Sequence, residues 1–299
     1  MEILIKEGFI PFRGFKTWYR IIGERETPGK YPLICLHGGP GATHDYFSSL
    51  EAFSSTGRRV ILYDQLGWGN SDHIQDPAMW TVELFVEELG VICQVLGLER
   101  VHILGHSWGG QLAMEYALTQ PAGLISLIIA DSLASASQWA QETGRLVSEL
   151  PEDAKQAIQK HEAAGTTDSS EYKEAMKAFS RRHGGGHIDP KPEWVIQAFK
   201  KIEDNDIYLT MWGPSEFYVT GTLKDWDITN RLSEIHVPVL VLCGRHDEAT
   251  PTLAETIYRG IPGAELVIFE HSAHFPHIEE TDRYLQELGQ FLDRVEAQK

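Results

Sequence analysis

The sequence predicts an α/β protein: a doubly wound, mostly parallel sheet interrupted by a helical insertion. Three observations carry this. Short apolar runs of strand length recur at 31–36, 59–64, 101–104, 124–130, 237–244 and 264–269, alternating with helix-forming stretches or turns. Runs that are apolar throughout suit strands buried on both faces, as in parallel sheets. One run breaks into Gly105-His106-Ser107-Trp108-Gly109 and passes directly into helix-forming residues. From about 134 to 230, by contrast, the chain is polar, helical in pattern and without a buried strand. The expected organisation is a core of 1–133 and 231–299 with 134–230 as a helical cap over the sheet's C-terminal edge, where open α/β sheets bind ligands.

Taken in order, residues around 2–10 and 15–22 alternate as an antiparallel hairpin at a sheet edge. The run 31–36 is the first buried strand and ends in His37-Gly38-Gly39-Pro40-Gly41, where glycines free the backbone. The strand 59–64 precedes the turn Gly67-Trp68-Gly69-Asn70-Ser71, with Asp64 and Ser71 read as its braces. A helix near 81–97 buries Leu84, Phe85, Leu89, Ile92 and Leu96. In the insertion, Gly184-Gly185-Gly186 follows Arg181-Arg182-His183 rather than a strand and lacks the Lys-Ser/Thr ending of a phosphate loop, so a flexible linker is expected. The sheet resumes at 237–244 and 264–269, and an amphipathic helix over about 277–297 closes the chain.

Composition narrows the function. The 299 residues carry 26 Lys plus Arg against 43 Asp plus Glu, a formal net charge of −17. Such a surface repels nucleic acid and anionic membrane, so neither is an expected partner. Cys35, Cys93 and Cys243 are scattered, which argues for a reducing compartment rather than a disulfide framework. The first residues lack a basic stretch followed by a long apolar one, and no apolar run is long enough to span a bilayer. A cytoplasmic location and no cofactor are expected.

The chemistry centres on Ser107. A glycine on either side allows the sharp strand-to-helix turn that lifts a nucleophilic hydroxyl above a sheet. A serine needs a base, and the base needs an orienting acid, in the chain order serine, acid, histidine for this fold class. Asp247, in Gly244-Arg245-His246-Asp247-Glu248 after one strand, and His274, in His271-Ser272-Ala273-His274 after the next, are the expected acid and base. Glu248 and Asp131 are alternative acids, and His271 and His277 alternative bases. The spacing His271-x-x-His274-x-x-His277 also resembles a metal site, but no carboxylate or cysteine at a suitable spacing completes it, so no metal is expected. The oxyanion donors are expected to be the Trp108 N–H and the Gly39 N–H. With His274 as base, an acid limb of activity near the ordinary histidine range is expected.

His37-Gly38-Gly39-Pro40-Gly41-Ala42-Thr43-His44-Asp45-Tyr46, Asp64-Gln65-x-Gly67-x-Gly69-x-Ser71 and Gly105-His106-Ser107-Trp108-Gly109-Gly110 resemble the proline iminopeptidase family of the α/β-hydrolase fold. Within it the chain is most similar to the tricorn-interacting aminopeptidases and related amino-acid amidases. Gly213-Pro214-Ser215-Glu216-Phe217 and Asp247-Glu248-x-Thr250-Pro251 extend the likeness, which is missing only over about 140–205. It implies a serine aminopeptidase or amidase acting on short peptides or amino-acid amides, with Glu216 and Glu248 holding the substrate's free α-amino group. Leu66 replaces the family's usual arginine and Ser215 its usual asparagine. Trp212, Phe217, Tyr218 and Trp226 are expected to pack the cap or line a pocket for the first side chain. The other readings are an esterase or lactonase and a non-catalytic receptor of the same fold.

Overall fold

The computed structural model describes residues 4–74, 76–185, 188, 196 and 206–298. A hairpin of β1 (Ile5–Phe12) and β2 (Phe15–Ile22) opens the chain and forms one edge of an eight-stranded sheet. Then come β3 (Leu33–Leu36), β4 (Val60–Tyr63), β5 (Val101–His106), β6 (Leu124–Ala130), β7 (Val239–Gly244) and β8 (Glu265–Phe269). The strand order is β1-β2-β4-β3-β5-β6-β7-β8, with the β1–β2 and β2–β4 pairs antiparallel and every later pair parallel. Every residue of β3 to β7 is buried, whereas β8, at the sheet's other edge, exposes Glu265 and buries only Phe269 fully, so the run 264–269 is not covered on both faces.

Helices cover both faces. On one lie α1 (Val82–Val95), α2 (Trp108–Leu118) and α7 (Pro251–Gly260), whose Leu84, Phe85, Leu112, Leu253 and Ile257 join a core with Ile34, Ile61 and Ile103. On the other, a 3₁₀ segment over His44–Thr56 and α9 (Thr281–Glu296) pack Phe47, Leu50, Leu288 and Phe291 against Leu33, Leu62 and Leu104. The expected single closing helix is two: α8 (Pro276–Glu279) and α9, separated at Glu280, whose φ of −126° leaves the helical region. The break lets Glu279 and Glu280 turn back and accept the N–H groups of Phe275 and His271.

Between β6 and β7 stand α3 (Ala136–Ser148), α4 (Glu152–Ala164), α5 (Ser170–His183) and the short α6 (Asp206–Met211). The first three bury a core of their own, including Leu146, Ile158, Tyr172 and Phe179. Gly186 and most of 187–205 lie outside the described residues, and with them part of the glycine linker expected there. Among the described residues no helix is long and apolar enough to cross a membrane.

Candidate active site

Ser107 stands between β5 and α2 with φ 55° and ψ −123°, a conformation L-residues seldom adopt. The flanking glycines make the turn possible. A Cβ on Gly105 would lie 2.0 Å from the Gly109 carbonyl oxygen, and one on Gly109 would lie 2.0 Å from that of Leu36. The turn is tied down by the Ser107 N–H donating to the Ala130 oxygen at 2.9 Å and Ser132 Oγ donating to the Ser107 oxygen at 2.8 Å.

The loop after β3 lies against this serine. A Cβ on Gly38 would stand 3.0 Å from that of Ser107, and Gly39 has φ 109°. The Gly38 N–H donates to the Tyr46 hydroxyl, which fixes the loop. The Trp108 N–H opens α2, where helix N–H groups lack intrahelical partners. The Trp108 indole donates to Gln65 Oε1 at 2.9 Å. Asp64 and Ser71 brace the adjacent turn as expected: Asp64 accepts the N–H of His44 and Asn70, and Ser71 Oγ donates to the Asp64 carbonyl and accepts the Trp18 N–H.

His274 Nδ1 donates to Asp247 Oδ1 at 2.7 Å, both residues being buried. Asp247 Oδ1 also accepts the Ala249 N–H at 2.8 Å. The opposite ring nitrogen, His274 Nε2, is 3.7 Å from Glu248 Oε1. Glu248 therefore sits on the side of the imidazole that Asp247 leaves open. The alternatives fall elsewhere. His271 is exposed, and His277 is buried with Nε2 donating to the Tyr46 carbonyl. Asp131 lies beside Asp247 rather than on His274.

A cavity of about 210 Å³ collects Gly38, Gly39, Ser107, Glu216, Glu248 and His274. Met176, Phe179, Phe217 and Phe275 give it apolar walls. Phe217 is the wall residue among the cap aromatics singled out in the sequence. Trp212 packs edge-on against Trp139, and Trp226 donates to Glu115. Glu216 is held from two sides: the Trp139 indole donates to its carbonyl at 2.6 Å, and the Tyr208 hydroxyl hydrogen-bonds its carboxyl group. Sequence reasoning missed Trp139, Tyr208 and the brace role of Tyr46. Tyr46 was inside a quoted motif, but Trp139 lies at the edge of the stretch without family likeness and carried no signal.

Electrostatically the site is a cluster of acids around one base. Burial alone would lower His274, but the charges of Asp247 and Glu248 outweigh it and lift the imidazole to about 9. This corrects the expectation of an ordinary histidine value. Burial raises the Glu216 carboxyl group, against the hydrogen bond from Tyr208. Burial raises Glu248 well above the usual range, and the neighbouring charge of Glu216 adds to it. A pocket with buried carboxyl groups near a serine and histidine can take a small cationic group beside a nucleophile.

The family described as alpha/beta hydrolase fold matches residues 31–281. The chain is 44% identical over 289 residues to a proline iminopeptidase of Heyndrickxia coagulans, covering 97% of this chain and 99% of that one. The crystal structure of VinJ superposes with a TM-score of 0.92 at 41% identity, over 97% of this chain and 99% of the other. That of a Mycobacterium smegmatis proline iminopeptidase gives 0.90 at 40% identity, over 98% and 99%. Likeness at about 40% identity over nearly the full length of these proteins shows that the chain belongs to the proline iminopeptidase family of α/β-hydrolases.

Proposed function

We propose that this protein is a serine aminopeptidase that releases the N-terminal residue, proline or another, often apolar one, from short peptides or amino-acid amides through an acyl-enzyme. The observation that carries the reading is that Glu216 and Glu248 line the same cavity as Ser107 and His274. An enzyme that removes only the first residue must recognise the free amine, and two carboxyl groups beside the nucleophile suit an ammonium.

In this reading Ser107 Oγ attacks the carbonyl carbon and its proton passes to His274 Nε2. Asp247 orients the imidazole and stabilises its charged form. The Gly39 and Trp108 N–H groups receive the oxyanion. His274 then gives its proton to the leaving amine, deprotonates a water, and that water attacks the acyl ester to free the residue and regenerate Ser107. Glu216 and Glu248 accept hydrogen bonds from the ammonium, while Met176, Phe179 and Phe217 face the first side chain. These steps require no cofactor or metal. Residues 134–230 act as one cap on the 1–133 and 231–299 core. The buried, unpaired Cys35, Cys93 and Cys243 support a cytoplasmic setting.

The test is a set of aminoacyl-4-nitroanilides offered with free and N-acetylated amines. Cleavage is expected only of the free forms, because acetylation removes both the charge and the donors. Equal cleavage of both would remove the aminopeptidase reading and leave an esterase or lactonase.

A further inference from the structure

Asp131 is fully buried at the end of β6, with φ 52°. Its N–H donates to the Leu242 carbonyl at 2.8 Å, and its Oδ1 accepts the Gly244 N–H at 3.1 Å. Both bonds bind it to the strand that leads into Asp247. Its other oxygen, Oδ2, is buried without a donor among the described residues, and so is Oδ2 of Asp247. The two carboxyl groups are within hydrogen-bonding reach of each other. Buried acceptors are rarely left unsatisfied, and two facing carboxylate oxygens satisfy one another only with a proton between them.

Among the described residues no cation competes for that place. The nearest candidate, His106 Nε2, is 3.8 Å from Asp131 Oδ2. That nitrogen is 2.8 Å from the His274 carbonyl, an acceptor only, so its proton points there. His106 Nδ1 lies 3.2 Å from the Tyr46 hydroxyl, and burial keeps the ring neutral. The other titratable groups that face Asp131 are Glu279 on α8, Cys243 on β7, Tyr46, and Tyr284 on α9. None of these carries a positive charge.

We propose that Asp131 is a positioning residue of the catalytic centre: its carboxyl group is protonated at neutral pH and donates to Asp247 Oδ2, fixing Asp247 as an anion with Oδ1 on His274. The proposal rests on the assignment of Asp247 as the acid that orients His274. Burial and the neighbouring Asp247 charge raise Asp131 well above the usual carboxylate range, in keeping with that proton. The arrangement gives His274 Nδ1 one anionic partner, held by hydrogen bonds to both of its oxygens, rather than two repelling carboxylates.

The experiment uses 4-nitrophenyl acetate, which has no amine, so its outcome is independent of the aminopeptidase reading. Asp131→Asn keeps a donor for Asp247 Oδ2 and an acceptor for Gly244, and it tolerates positive φ. It is expected to retain kcat within about threefold. Asp131→Ala removes both groups and is expected to lose about 10- to 150-fold in kcat, the range for a hydrogen bond to a charged group, with KM little changed. Asp131→Gly, free of strain at this φ, is expected to lose as much. The direct readout is infrared: the wild-type minus Asp131→Asn difference spectrum at neutral pH should show the C=O stretch of a protonated carboxyl group, shifted in D₂O. This measurement needs only the conservative variant to fold. Loss of activity in Asp131→Asn equal to that in Asp131→Ala, unchanged kcat in both Asp131→Ala and Asp131→Gly, or the absence of the protonated band would overturn the proposal.

Discussion

Ser107 is the residue on which every other assignment depends. If it is the nucleophile, Ser107→Ala should lower kcat on the order of 10⁶-fold, as for serine-hydrolase triads whose members act as a unit. A folded alanine variant retaining a tenth of the activity would put the nucleophile elsewhere. His274 gives the second prediction at this scale. In the free enzyme the charges of Asp247 and Glu248 lift it to about 9, so at neutral pH most of the base is protonated and inactive. The acid limb of kcat/KM, which reports free enzyme, should therefore lie above the ordinary histidine range and toward pH 9. A bound ammonium offsets the carboxylates, so the acid limb of kcat should fall at lower pH. Rate profiles on a free-amine anilide decide the matter; coincident limbs near pH 6.5 would show that the acidic cluster does not act on His274.

At the scale of elements, the proposed amine site draws on two parts of the chain: Glu248 in the β7–α7 connection and Glu216 in the connection after α6. Glu216→Gln and Glu248→Gln should each lower kcat/KM for free-amine substrates about 10- to 150-fold and leave 4-nitrophenyl acetate hydrolysis nearly unchanged. Equal losses on both substrates would make the glutamates supports of the His274–Asp247 pair instead. Trp139 on α3 tests the supporting layer. Its indole holds the Glu216 carbonyl at 2.6 Å, so Trp139→Phe should raise KM for amine substrates about 2- to 12-fold, with kcat on the ester unchanged. How much was legible follows the range of the interactions. β3 to β7 could be read because burial on both faces makes a strand apolar throughout, and Ser107 because its turn demands glycines at fixed offsets. Glu216 was visible only through family likeness, since a glutamate in a polar stretch has no local mark. Trp139 was not visible at all: its bond to Glu216 spans 77 residues, and local pattern does not encode such a contact. The break at Glu280 was also hidden, because it goes with hydrogen bonds from the Phe275 and His271 N–H groups to the Glu279 and Glu280 carboxylates and has no proline or glycine at Glu280 to mark it.

For the whole molecule, a pH liability outside the site is Glu88, fully buried on α1 beneath the sheet. Its Oε1 accepts the Thr17 hydroxyl and, at 2.9 Å, the Leu66 N–H, while Oε2 has no hydrogen-bond partner among the described residues. Leu66, where the family usually has arginine, is itself fully buried and supplies no side-chain charge. Burial therefore lifts Glu88 from 4.5 to about 8, against the two hydrogen bonds. Below pH 4.5 the group is protonated in the folded and unfolded chains alike, and stability is undiminished by it. Between 4.5 and about 8 only the unfolded chain releases the proton, so stability falls as pH rises; above about 8 the folded chain releases it too and the decline ends. The effect is on the order of 3–5 kcal/mol over that window. Glu88→Gln imitates the protonated acid, with an oxygen for Thr17 and Leu66 and an N–H in place of the O–H, but does not titrate. The variant should match wild type in Tm near pH 5 and exceed it by about 5–10 °C near pH 8.5. Because other groups titrate equally in both proteins, the difference between the two melting curves isolates Glu88. A difference that stays constant from pH 5 to pH 8.5 would mean that the buried carboxyl group is already ionised in the folded chain at pH 5.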